Sequence, residues 1–316
     1  MNQLQNTTEY RLIEVNLLDE FIKYLDVSPK TIETYTRALK QFWKYLSMNQ
    51  TDKPTRQDII TYRDTLKATC KNTTVQAYMV AVRRFFKWCN QMGYYPNVAE
   101  DVKGAKVSKE FKKDYLTSSQ SGLLLETMPK NTLDDIRNYA IVYLMLVCGL
   151  RTIEVSRANV MDLTTLGDHT VLYIQGKGKE DKAMYCNIPI GLEQVLRTYI
   201  TTRQATADEP LFTSSSNNSH GQRLSTRTIR GIAKKSMQDI GLDSERLTAH
   251  SLRHTAVTLA LLGHESLQDV SMMARHNNLN TTMIYNHAIE MSNNTCSQTV
   301  EKMIKEKACT TTIHAR

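Results

Sequence analysis

The sequence predicts a mainly α protein with a small β-hairpin or sheet, an α+β chain in two domains. Three observations carry this. A length of 316 residues is more than one core usually organises. Apolar residues recur at helical spacing over most of the chain. One segment, "HTVLYIQGKGKEDKAMYCNIP", instead alternates in the manner of strands around a Gly/Lys-rich turn, so a hairpin is expected there. With 41% apolar residues there is enough material for two cores.

Residues 1–98 read as a compact helical domain. In "VSPKTIETYTRALKQFWKYL", Ser28 is placed to cap a helix and Pro29 to occupy its first position, where a missing N–H costs nothing. Ile32, Tyr35, Leu39, Phe42, Trp43 and Leu46 then mark one buried face. "PTRQDIITYRDTL" repeats the logic with Thr55 as cap and Asp58 in the first turn, and "NTTVQAYMVAVRRFFKWCNQMGY" gives a long helix that Gly93 can close. Residues 99–113 have few apolar side chains and lysines at 103, 106, 109, 112 and 113, the pattern of an exposed basic linker suited to strap a nucleic-acid backbone.

Residues 114–316 form the second expected domain. It opens with a Thr117/Gln120 capping box, followed by "DDIRNYAIVYLMLVCGL", apolar enough for the centre of a core. After the hairpin the pattern is helical again, with "STRTIRGIAKKSMQDIGL" capped by Ser225 and stopped near Gly241. Val300, Met303 and Ile304 outline a small amphipathic helix in the tail, able to close its own core or to dock elsewhere. "TSSSNNSHGQ" reads as a loop, and there are no internal repeats.

Lys and Arg exceed Asp and Glu by 40 to 32, a net charge of +8, which favours a polyanionic partner. The six cysteines include no CxxC pair, which points to reduced thiols in a cytoplasmic setting and not to zinc or a redox couple. The first residues lack the basic stub and apolar run of a signal peptide, and no stretch approaches the roughly 20 apolar residues of a membrane span. A cytoplasmic protein with no membrane partner is expected.

Four segments concentrate groups that bind phosphate or move charge. "TAHSLRHTA" brings His250 alongside Arg253 and His254 on one helical face. A metal site is disfavoured there, because an arginine sits between the two histidines and no HExxH-type carboxylate accompanies them. A serine hydrolase would need a GxSxG elbow, which is absent. "CGLRTIEVSR" sets Arg151 three residues before Glu154, which can orient the guanidinium, although such pairs usually lie on surfaces. "QGKGKEDK" places Lys177 between glycines at the hairpin tip, and "ARHNNLNTTMIYNH" places His276 nine residues before Tyr285. Taken singly, these residues are a turn lysine, a core histidine and a core aromatic.

Taken together, the order Arg, Lys, HxxR, His, Tyr resembles the tyrosine recombinase family, which includes the phage integrases and Xer-type recombinases. "CGLRTIEV" is similar to the family's first arginine motif, "GKGKED" to its hairpin lysine motif, "HSLRHT" to its HxxRH motif, and "TTMIY" to the segment ending in the nucleophile. The resemblance implies a helical core-binding, SAM-like DNA-binding domain followed by a mixed α/β catalytic domain. It also implies that Arg151, Lys177, His250, Arg253, His276 and Tyr285 are catalytic, with Glu154 in support. Arg151 and Arg253 clamp the phosphate, Tyr285 attacks, His250 assists as acid or base, and Lys177 protonates the leaving 5′ oxygen. Planar, forked donors suit the charge that collects on non-bridging oxygens during in-line displacement. The product is a 3′-phosphotyrosyl bond, which stores the energy for rejoining, so no cofactor and no metal are expected.

One departure stands out. The family's "LGH" triplet is matched by "LLGHES", but His264 lies twenty-one residues before Tyr285, whereas "ARH" puts His276 at the family's spacing. His276 is therefore the candidate, and His264 a surface or capping residue. The resemblance implies as partners double-stranded DNA and three further copies, a homotetramer bridging two paired sites, and leaves open whether the tail helix closes its own core or docks on a neighbour. Arg227, Arg230, Lys234 and Lys235 on one helix, and Arg37, Lys44, Arg83, Arg84 and Lys87 on the N-terminal helices, are candidate DNA contacts. Integration or excision of a mobile element and dimer resolution would use the same residues. The rivals are a type IB topoisomerase, which shares the covalent tyrosine but relaxes DNA without a specific site, and a non-catalytic DNA-binding protein of this fold, against which the complete residue set speaks.

Overall fold

A computed structural model of the chain describes residues 15–106, 114–176, 181–292 and 294–313. The chain divides into two units, Met1–Lys109 and Glu110–Arg316.

The first unit contains helices α1 (Val15–Tyr24), α2 (Pro29–Met48), α3 (Arg56–Thr69) and α4 (Asn72–Gln91). Their ends follow from local chemistry: the Ser28 side chain accepts from the Thr31 N–H, and Thr55 and Asp58 form a reciprocal capping box. Gly93, at φ +73°, turns the chain after α4. Phe21, Leu39, Phe42, Ile59, Met79, Phe85 and Phe86 are fully buried between the helices. Phe21 meets Phe85, and Phe42 meets Phe86, edge to face at 5.5 and 5.9 Å.

Part of the expected linker belongs to this core. Ala99, Val102 and Ala105 are buried against it, while Arg63 and Arg83 donate to the carbonyls of Lys103 and Val102. The small apolar residues recur every third position in an otherwise polar run, which is why 99–106 packs down. The rest of that linker, including Lys109, Lys112 and Lys113, lies outside the described residues.

In the second unit, α5 (Ser118–Thr127) starts at the Thr117/Gln120 capping box, and α6 (Leu133–Val147) at a second one, Thr132/Asp135. The short α7 (Thr152–Arg157) leads into a three-stranded antiparallel meander of β1 (Leu163–Leu166), β2 (His169–Ile174) and β3 (Met184–Asn187). The expected hairpin is β2–β3, with Leu172 opposite Cys186. Strand β1 adds to it, joined through the tight turn Gly167–Asp168, in which Gly167 takes φ +59°. "LTTL" is short and mostly exposed, so it carries no readable alternation.

Helices α8 (Ile190–Arg203) and α9 (Thr226–Asp239) follow, then α10 (Ala249–Leu262), α11 (Leu267–Ala274), α12 (Asn280–Ser292) and α13 (Cys296–Ile313). Helices α6 and α10 lie in mutual contact at the centre, with Ile141, Leu144, Met145 and Leu252 fully buried. On α13, Val300, Met303 and Ile304 are all more than half exposed, so among the described residues that face packs into no core. Among the described residues, no helix is long and apolar enough to cross a membrane.

Candidate active site

The site grows from the end of α6. Gly149, in the left-handed region at φ +59°, reverses the chain so that Arg151 caps α7. Glu154, one turn into that helix, is fully buried; its Oε2 accepts the Arg151 backbone N–H at 2.8 Å and its Oε1 accepts the guanidinium at 2.7 Å. Such pairs usually lie on surfaces, whereas here the carboxylate is wholly buried and anchors the half-buried arginine from the interior. Burial raises the Glu154 pKa, but Arg275 and Arg151 more than offset this and hold the carboxyl below its ordinary range.

Arg253, on α10, is 1% exposed. It donates to the Gly149 carbonyl at 2.5 Å and to the Ala274 carbonyl. Burial, with Arg151 and Arg275 nearby, pulls its pKa down to about 9, which leaves it charged at neutral pH. Arg151 in turn donates to the Arg275 carbonyl at 3.3 Å. The turn after α11 thus fixes both expected clamp arginines through backbone oxygens.

His276 follows in that turn, its Nδ1 hydrogen-bonded to the Thr282 hydroxyl at 2.8 Å. Burial, reinforced by Arg253, Arg151 and Arg275, pulls its pKa from 6.5 down to about 4, so the imidazole is neutral at pH 7. Between those values the unfolded chain binds a proton that the native site refuses. Stability contributed by this residue is therefore complete above pH 6.5 and is lost as the pH falls toward 4. Denaturant titrations at pH 5 and pH 7 should show a smaller pH dependence for His276→Asn than for the wild type; equal slopes would contradict the assignment.

Tyr285, on α12, is 5% exposed and packs among Val257, Leu261, Val270 and Ala274. Its hydroxyl hydrogen-bonds His254 Nδ1, and its ring stacks beside His276 at 6.2 Å. Burial pushes the hydroxyl up to about 12, with Arg253 and Arg151 pulling the other way. The expected acid or base, His250, is exposed and meets His254 edge to face at 4.4 Å. A histidine that does hydrogen-bond the tyrosine is His254, which the sequence sets beside His250 and Arg253 without giving it a catalytic role.

Arg151, Arg230, Thr248 and His250 line one cavity of about 460 Å3. Of the four basic residues expected on α9, Arg230 reaches this cavity. Lys234 pairs with Asp243 at 2.9 Å and Lys235 with Asp239 at 3.1 Å, while Arg227 lines a separate cavity beside Met128. In the first unit Arg84, Lys87 and Lys44 are exposed, Arg37 pairs with Glu33, and Arg83 is engaged with Val102. Lys177 lies outside the described residues.

Arg275 is the other residue that sequence reasoning passed over. It occupies a left-handed position, φ +53°, at the C-cap of α11, where a side chain costs about 1–2 kcal/mol relative to the right-handed region. Its guanidinium is buried and bonded to Glu154 at 3.0 Å and to Gly149 O at 3.1 Å. The signal was the departure from "LGH" itself.

Arg151, Arg253 and Arg275 thus gather positive charge close to the Tyr285 phenol and the neutral His276 imidazole. The phage integrase family profile matches residues 114–291, and the phage integrase N-terminal SAM-like domain profile matches residues 18–93. A tyrosine recombinase of Synechococcus elongatus is 28% identical over 233 residues, covering 73% of this chain and 72% of its own. Tyrosine recombinase XerC of Haemophilus ducreyi is 30% identical over 270 residues, covering 83% and 84%. Among solved structures, XerH site-specific recombinase bound to palindromic difH substrate has a TM-score of 0.73 at 19% identity, covering 89% of this chain and 84% of that one. A lambda integrase tetramer bound to a Holliday junction has a TM-score of 0.68 at 17% identity, covering 88% and 78%. These structural likenesses carry the fold; the family match carries the membership. This chain belongs to the phage integrase family, the tyrosine recombinases.

Proposed function

We propose that this recombinase cuts and rejoins duplex DNA at specific sites through a 3′-phosphotyrosyl bond on Tyr285, within a tetramer that bridges two sites. The observation that carries the reading is the convergence of Arg151, Arg253 and His276 about the hydroxyl-bearing Tyr285. In the resting chain His254 holds the Tyr285 hydroxyl. On attack, the phenol oxygen bonds to phosphorus, its proton passes to the His254–His250 pair, and the bond to the 5′ oxygen breaks. Arg151 and Arg253 hold the non-bridging oxygens, and neutral His276, fixed by Thr282, donates from Nε2. Lys177 protonates the departing 5′ oxygen. The reverse sequence, with a different 5′ hydroxyl, rejoins the strand. Integration or excision of a mobile element and dimer resolution are both served by this chemistry. The exposed apolar face of α13 suits docking on a neighbouring protomer.

The test is covalent trapping. The chain is incubated in EDTA with labelled, nicked duplexes drawn from the DNA flanking its own gene, where departure of a short nicked strand prevents rejoining. The expected result is a protein–DNA adduct that survives denaturant and frees a 5′ hydroxyl. Tight binding without any adduct would favour the non-catalytic binding protein, and site-independent relaxation of supercoiled DNA would favour the topoisomerase.

A further inference from the structure

The turn Ala274–Arg275–His276 contains a third arginine that the phosphate clamp does not require. We propose that Arg275 is a positioning residue for strand cleavage: it fixes Glu154 and the Gly149 carbonyl, and through them Arg151 and Arg253, and it adds a guanidinium charge behind the scissile phosphate. The inference rests on the recombinase reading above and adds a residue to it.

Nothing in the backbone asks for arginine here. The Arg275 N–H closes α11 by bonding to the carbonyls of Met272 and Ser271, whatever the side chain, and the left-handed φ of +53° favours glycine. A side chain kept in such a conformation, and 95% buried, is held by its surroundings, and strained residues of this kind gather at functional sites. Here the surroundings are the site itself. The guanidinium donates to Glu154 Oε2 at 3.0 Å, Gly149 O at 3.1 Å and Met273 O at 2.6 Å. The first two acceptors are shared with the clamp: Glu154 Oε2 also takes the Arg151 backbone N–H, and Gly149 O also takes Arg253. Among the described residues its Nε has no hydrogen-bond partner, so the group is incompletely satisfied where it stands.

Charge gives the arrangement a purpose. Glu154 alone would cancel one of the two clamp arginines. With Arg275 present, three cations face one carboxylate, and the pocket keeps two positive charges. A phosphodiester enters with one negative charge, and attack by Tyr285 raises this to two in the phosphorane-like transition state. The excess therefore matches the charge that develops and not the charge that binds, which is the condition for accelerating the step.

The test compares wild type, Arg275→Gly and Arg275→Lys on the nicked duplex trapped by the wild type, and on the same duplex with an uncharged methylphosphonate at the scissile position. Arg275→Gly relieves the backbone strain but takes from buried Glu154 one of its two arginine partners, so its thermal midpoint should fall by less than that of Glu154→Gln, and its DNA affinity should be unchanged. Its rate of adduct formation should nevertheless fall about 10- to 100-fold, the scale of a misplaced catalytic group. Arg275→Lys should recover most of that loss, and the deficit of Arg275→Gly should shrink on the methylphosphonate. Were Arg275→Gly to unfold, Arg275→Gln would take its place in the comparison. Equal rates for wild type and Arg275→Gly would overturn this inference alone, as would a deficit that lysine does not rescue and that is the same on both linkages. Absence of any adduct from the wild type would overturn the recombinase reading and this inference with it.

Discussion

Tyr285→Phe is expected to abolish the covalent protein–DNA adduct while leaving DNA affinity and the fold in place. The substitution removes one oxygen and nothing else. The ring stays among Val257, Leu261, Val270 and Ala274, so its apolar burial is kept. What is lost from the resting protein is the hydrogen bond to His254, a change of about 1 kcal/mol on the net scale of such bonds. What is lost from the reaction is the nucleophile, for which the arginines and histidines around it offer no replacement. Denaturing gels read the adduct, fluorescence anisotropy reads the affinity, and a thermal melt reads the fold. An adduct that persists in the phenylalanine variant would assign the nucleophile elsewhere.

The second large effect is on stability. Glu154→Gln should cost about 3–5 kcal/mol in the unfolding of the second unit, the usual range when one partner of a buried ion pair is removed. Glu154 and Arg275 are both almost wholly inaccessible, and Arg151 shares the same carboxylate, so no solvent screens what is lost. The amide that replaces Oε1 or Oε2 also turns a donor toward donors. Adding Arg275→Gly to Glu154→Gln should restore part of the loss, because it removes the cation left unpaired, with a coupling of about 0.5–3 kcal/mol for residues in one network. Denaturant titration of the four proteins in this cycle measures it. Strictly additive losses would mean that Glu154 and Arg275 do not act on each other.

Much of this architecture is written in local sequence. Ser28, Thr55 and Thr117 cap the helices they were expected to cap, because a hydroxyl three residues before an N–H acts over a single turn. The Arg151, Arg253, His276 and Tyr285 segments stand out through their resemblance to the family's motifs, and the fold brings them near one another. The parts that escaped depend on contacts far apart along the chain. Arg253 reaches Gly149, and Arg275 reaches Glu154, across more than a hundred residues. Their acceptors are largely backbone carbonyls, which every residue possesses and no motif marks. Arg275 was further hidden by sitting where glycine is the conformationally easy choice. His254 was in plain view, but only the fold of α10 against α12 turns it onto the Tyr285 hydroxyl. Strand β1 is four residues, three of them exposed, and has no periodicity to read. The packed stretch 99–106 looked like linker because lysine and acidic residues outnumber its three small buried anchors.

The most direct test of the central claim is to find the atom that carries the DNA. The trapped adduct is digested with nuclease and trypsin and its peptides are examined by mass spectrometry. Cleavage after Arg275 and Lys302 yields the peptide 276–302, in which Tyr285 is the only tyrosine. The account predicts a 3′-linked nucleotide remnant on that peptide, fragmenting to phosphotyrosine at Tyr285. A remnant on any other residue, or a denaturant-resistant complex with no nucleotide on the peptide, would contradict it.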